Sequence, residues 1–350
     1  MVPFAKARLA LDDAELGVVL LCMGVGSTIS MPLAGWVSHR HGSRIVLPIA
    51  ATLVCAVLPL LAIAPSTAAL AAALAVFGAG LGVMDVAMNA HAVEVERLHG
   101  SPLMSGFHAL YSVGGLAGSA GMSALLVTGL PLVGCATAIA VLLLAIVATQ
   151  GRHLLAANAD RKAFALPSAA AVSIGLLCMV LFLAEGAMLD WSAVLLRSAR
   201  GVALSNTGLG YAAFSIAMFA GRLLGDRLTA ALGPVRIVRH GSLIAAAGLM
   251  LAAALPWATS SLIGFVLIGI GASNIVPVLF SAAGRLPGVA PGVAIATVTT
   301  FGYTGMLTGP ALIGLVARVV SLPVALGGVA VLLVAVAASA SIVPRDRSAQ

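Results

Sequence analysis

A chain of 350 residues has the length of one large soluble domain or two small ones. Composition excludes both, because hydrophobic residues make up 61% and Asp, Glu, Lys and Arg only 8%, against roughly a quarter charged in soluble proteins. The net charge of +7 is spread over the whole length with no basic run; this argues against a nucleic-acid partner and leaves a polytopic membrane protein.

The start, MVPFAKARLALDDAELG, does not read as a signal peptide. Asp12, Asp13 and Glu15 precede the first apolar run, and no small-residue cleavage site follows. A bilayer core needs roughly 20 apolar residues per helical span. On that rule spans are predicted at 16–36, 45–64, 68–92, 103–128, 131–149, 168–189, 206–224, 235–255, 259–283, 291–317 and 323–342, which is 11 transmembrane helices. The runs lack the alternation of a barrel, and backbone groups in lipid must pair within their own segment, so the fold class is all-α. Cys22, Cys55, Cys135 and Cys178 all fall inside these runs and read as small buried side chains.

Placing loop 37–44 in the cytoplasm puts Arg40, Arg44, Arg97, Arg152, Arg161, Lys162, Arg222, Arg227, Arg236, Arg239, Arg285, Arg345 and Arg347 on that side. Lys6, Arg8, Arg197, Arg200 and Arg318 fall outside. Thirteen cations against five favour a cytoplasmic C-terminus.

The longest polar connection, 151–165, reads as a cytoplasmic linker between an N-terminal bundle (1–150, five spans) and a C-terminal bundle (166–350, six spans). Repeats support two copies of one unit. ALDDAELG at 10–17 returns as ALSNTGLG at 203–210, an offset of 193. His39-Arg40 matches Asp226-Arg227 at 187, and Gly80-x-Gly82-x-x-Asp85 matches Gly269-x-Gly271-x-x-Asn274 at 189. Moving the sixth span back by 193 places its counterpart before Met1, so the chain reads as a six-plus-six protein without its first helix.

Asp85 lies inside a span, where a carboxylate costs some 2.5–3.5 kcal/mol or more to insert. Gly78, Gly82, Asp85 and Asn89 form one helical stripe. The glycines permit close helix contact, and a buried carboxyl that gains and loses a proton suits proton coupling. A structural Asp bonded to a neighbouring helix is the plainer alternative. Glu185, deep in its span, is a second proton-coupling candidate or a lid contact. Asn274, the repeat partner of Asp85, His108 with Tyr111 at i and i+3, and Tyr303 are candidates to line a substrate cavity; each also reads as packing or interhelical glue. Tyr303 neighbours Gly305, Gly309 and Pro310, where a helix is expected to bend, and Trp191 reads as an interfacial anchor. The sets Gly35, Arg40, Gly42, Arg44 and Gly225, Asp226, Arg227 read as gating loops. Positive-inside bias explains their Arg but leaves the repeated Gly spacing unexplained.

Six stretches resemble the major facilitator superfamily, in its fucose-permease-like bacterial branch: GWVSHRHGSR (35–44), GLGVMDVAMNAHAVEVE (80–96), PLMSGFHALYSVGGLAGS (102–119), EGAMLDWSAVLLR (185–197), AGRLLGDRLTAALGPVR (220–236) and ASNIVPVLFSAAGR (272–285). The resemblance implies two pseudo-symmetric bundles around a central cavity, working by alternating access. It also implies that Asp85 and Asn89 stand where the family carries a carboxylate and an Asn in the pattern E-x-A-x-N. His39 departs from the acidic residue of the first loop motif, while Asp226 keeps it.

Neither of the two Lys follows a Gly, which excludes a Walker A loop, and no HExxH or GxSxG is present, so neither an ATPase nor a membrane hydrolase has its parts. The expectation is a monomeric secondary transporter, not an enzyme, needing no cofactor or metal. It would sit in a bacterial inner membrane and carry a small polar solute, sugar- or polyol-like, by proton symport. Drug or metabolite efflux on the same fold, and a non-transporting membrane component, stay open as alternatives.

Overall fold

The computed structural model describes residues 2–11, 13–155, 167–203 and 206–344, and among them it contains helices and no strand. Asp12 and most of the predicted linker 151–165, with Arg161 and Lys162, lie outside the described residues, as do Arg345 and Arg347. A short helix α1 (Val2–Leu9) leads into α2 (Asp13–His41), α3 (Ser43–Ile63), α4 (Thr67–His99), α5 (Met104–Val127) and α6 (Leu132–Gln150). Then follow α7 (Ala169–Val194), α8 (Leu209–Leu232), α9 (Pro234–Ala254), α10 (Ala258–Ala272), α11 (Ile275–Gly284), α12 (Pro291–Val319) and α13 (Leu322–Ala338).

Among the described residues ten helices are long and apolar enough to cross a membrane, with α10 and α11 together forming one of them. The eleventh predicted span is α8, whose 24 residues have the length but carry Arg222, Asp226 and Arg227 in their second half. Local signals set the helix starts. Ser168 accepts a hydrogen bond from the Ala171 N–H ahead of α7, and Ser321, followed by Pro323, accepts one from Val324 ahead of α13. Gly42 before α3 and Gly233 before α9 share one conformation (φ 80° and 77°, ψ 145° and 159°), open to glycine and costly for other residues. They lie 191 residues apart, inside the range of the sequence repeat.

The span read as continuous over 259–283 is in fact two helices meeting at Ser273 and Asn274. Pro277 is the physical cause: it has no N–H to offer the Ser273 carbonyl four residues back, and its ring crowds that carbonyl. The expected site of bending, Pro310, lies within an unbroken α12.

The helices group into two compact units. The first comprises residues 1–95, 111–166 and 290–297; the second comprises 96–110, 167–289 and 298–350. In the first, α3 packs on α6 and α2, and α2 meets α4 through small residues. A Cβ on Gly78 would overlap the Met23 carbonyl, and one on Gly26 the Ala75 carbonyl. In the second, α9 packs on α10 and α13, and α8 on α10. Gly305 brings α12 onto the backbone of Met179 in α7. None of the four cysteines is in a disulfide.

Candidate functional site

In the first unit the polar feature inside the bilayer span is on α4. Asp85 is half-buried and Asn89 is buried, one turn apart. The Asn89 Nδ2 donates to the Asp85 carbonyl at 2.9 Å and to its carboxylate Oδ1 at 3.2 Å. An amide thus holds the carboxyl group in one orientation without neutralising it. Near the end of the same helix His91 is buried. The Leu155 N–H donates to its Nε2 at 3.4 Å, so Nδ1 carries the proton and donates to Ser43 Oγ at 2.9 Å. Residue-by-residue reading of the sequence passed over His91. Arg40 stacks over the Trp36 ring at 5.5 Å, and Arg44 is exposed at the start of α3. Gly35 packs against Gly292 and Ala296 at the start of α12. Tyr111 is 68% exposed in this unit.

The second unit gathers Glu185, Arg222, His108 and Asn274. Arg222 belongs inside α8, with only 9% of its surface exposed. It is therefore a buried cation within a helix and not a loop charge. Its charge reaches both Glu185 on α7 and His108 on α5, and its Nε donates to the Ser273 carbonyl at 3.4 Å. That carbonyl is the one Pro277 deprives of a helical partner. Asn274 repairs the same break: its Nδ2 donates to the Gly221 carbonyl and to Ser273 Oγ, both at 3.0 Å. Both amide protons are spent on protein, so only Oδ1 is left to accept. Glu185 Oε1 is buried with no hydrogen-bond partner, a costly arrangement that calls for a role. The His108 ring meets Phe280 edge-on at 5.8 Å. Tyr303, on α12, lies 5.7 Å from the Phe182 ring on α7. Trp191 packs against Gly314, and its Nε1 is buried.

A cluster at the Arg-rich end of this unit holds the start of α5. Glu96 accepts from the N–H groups of Leu103 and Met104 at 2.9 Å each, and Arg285 Nη2 donates to its Oε1 at 2.6 Å. Asp226 accepts from the next two, Ser105 at 2.9 Å and Gly106 at 2.8 Å. Two carboxylates thus satisfy four successive donors at a helix N-terminus, where the dipole also favours negative charge. Gly225 makes room for this, since a Cβ there would overlap Asn274 Oδ1 and press on Ser105. Arg227 is exposed. Sequence reading singled out Gly225 and Asp226 but passed over Glu96 and Arg285, although both lie in the stretches that carry the family resemblance. Among the described residues no group of His, Cys, Asp and Glu could hold a metal ion.

Residues 1–165 match the model of the Major Facilitator Superfamily. Over 348 residues the chain is 47% identical to an uncharacterized MFS-type transporter of Yersinia pestis, covering 99% of this chain and 91% of that one. It is 34% identical to the membrane protein MosC of Rhizobium meliloti over 360 residues, covering 100% and 86%. Among solved structures, the E. coli fucose:proton symporter FucP aligns with a TM-score of 0.76 at 15% identity, covering 98% of this chain and 93% of that one. The proton:xylose symporter XylE aligns with a TM-score of 0.77 at 15% identity, covering 98% and 91%.

Proposed function

The chain belongs to the major facilitator superfamily of transporters, and from that premise we propose that it moves a small polar solute, sugar- or polyol-like, together with protons by alternating access. The observation that carries the proton is Asp85, a carboxyl group inside a membrane span, held by Asn89 and placed where an acid is expensive unless it works. Glu185 is the second candidate, with its orphaned Oε1 and the guanidinium of Arg222 close by. Arg222 joins the list on its burial. Asn89, His108, Tyr111, Asn274 and Tyr303 are proposed to line the substrate path. Two proteins that share the fold are described as fucose:proton and proton:xylose symporters, and this makes a sugar-like cargo the first to try.

Gly35, Arg40, Gly42 and Arg44, around the junction of α2 and α3, and Gly225, Asp226 and Arg227, within α8, are proposed as the gating residues, working with the capped start of α5. Removing Arg222 from the loop cations leaves twelve on one side against five, which still favours a cytoplasmic C-terminus in a bacterial inner membrane. The protein is proposed to act as a monomer, with bundles over 1–150 and 166–350 and the linker 151–165 between them.

The test is uptake of fucose, xylose and a panel of polyols into proteoliposomes under an imposed pH gradient. Wild-type protein is expected to accumulate at least one of them only when the gradient is inward. Asp85→Asn should abolish accumulation while sparing exchange of solute down its own gradient. Gradient-driven uptake that survives this substitution removes the coupling role.

A further inference from the structure

A cavity of about 850 Å³ opens at the Arg-rich end of the second unit, outside the buried carboxylate sites. Four arginines line it from three segments: Arg97 near the end of α4, Arg236 and Arg239 in the first two turns of α9, and Arg285 just after α11. Glu96 is the acid in its wall, and that carboxylate is already committed to two N–H groups and Arg285. Arg97 and Arg285 have partners within the fold, which leaves Arg236 and Arg239 as the cations whose charge the hollow gathers. Arg236 and Arg239 are exposed, and among the described residues neither is paired with a carboxylate. Their position carries an added cost, because the start of a helix disfavours cations, and α9 has no acidic residue in its first turn. A topological preference for Arg at this end accounts for their number but not for their convergence on a cavity.

We propose that this cavity binds a phosphate-bearing anion. The planar fork of a guanidinium matches phosphate oxygens in geometry and charge, and the volume lies within the range of small-ligand sites, roughly 300–1,000 Å³. A dianionic phosphate group would offset the charges of Arg236 and Arg239. The cavity lies at the helix ends, where a phospholipid headgroup and a soluble phosphate both have access.

Binding to the full-length protein in detergent micelles tests this, and the readout does not depend on transport. In one arm, inorganic phosphate is titrated at constant ionic strength against a chloride control. In the other, phosphatidylglycerol mixed micelles are compared with phosphatidylcholine ones. A saturable rise in melting temperature is expected in at least one arm, and the responding arm identifies the source of the phosphate. Arg236→Gln with Arg239→Gln should weaken apparent affinity at least ~10-fold, about 1.4 kcal/mol, and leave the unliganded melting temperature unchanged. Arg239→Gln alone serves if the double variant does not fold. No saturable rise in either arm, or an equal rise in the variants, overturns the proposal.

Discussion

Glu96 has 1% of its side chain exposed, while Arg285, its partner, has 31%. The two ends of this ion pair therefore carry unequal weight. Glu96→Ala removes the guanidinium contact and orphans two N–H groups, each worth about 1–3 kcal/mol when buried and unmet. Arg285→Ala leaves Glu96 still holding both donors. The expected result is a clearly larger drop in melting temperature for Glu96→Ala, and equal losses in the two variants would contradict the division of labour. Neither residue stood out in the sequence, and the reason is physical. Hydropathy shows how far a charge lies from the middle of an apolar run, and by that measure Glu96 and Arg222 sit at span edges and read as ordinary loop charges. Asp85 was legible because it lies deep in a run, where insertion cost alone makes it conspicuous. Direction around the helix axis, which buries Arg222 and Glu96, comes from packing partners far away in sequence.

The helices α5 and α12 begin very differently. Four N–H groups at the start of α5 are met by Glu96 and Asp226. The first turn of α12 has no acidic residue, and the backbone of His39, in the last turn of α2, lies beside Gly292 there. His39 stands where the other loop motif has Asp226, so the N-terminus of α12 lacks the carboxylate that α5 enjoys. Substituting His39→Asp should supply it and raise stability by about 0.5–2 kcal/mol, read as a higher melting temperature. A fall would show that the His39 position does not face the helix start. The same comparison shows where element reading from sequence succeeds and fails. Helix starts at Ser168, Ser321 and the two loop glycines follow from local chemistry and were open to inspection. The break at Ser273 was also written locally, in Pro277, yet a long apolar run concealed it because hydrophobicity carries no information about a missing N–H. At Pro310 the same chemistry does not break the helix, so a proline signals a lost bond without deciding whether the helix stops.

For the whole molecule, span-length counting recovered the architecture because bilayer thickness fixes helix length almost independently of side-chain detail. The grouping of helices into compact units was beyond that rule. Residues 96–110 and 290–297 each cluster with the unit that does not contain the rest of their helix or its neighbours in sequence, which no composition shift marks. Charge bias makes a separate claim about sidedness. A fluorescent protein fused to the C-terminus should be bright, and alkaline phosphatase at the same point inactive, whereas phosphatase fused after Ala199 should be active. The reverse pattern would invert the proposed topology.

The ion pair at the start of α5 bears on the internal symmetry of the chain. Glu96 and Arg285 are 189 residues apart, the same offset that relates Asp85 to Asn274. They are the same position in the two copies, in contact with itself. Identical residues at these two positions would be two acids or two bases repelling at hydrogen-bond distance. Attraction at this point needs the two repeats to differ, so this contact is one that exact symmetry would forbid.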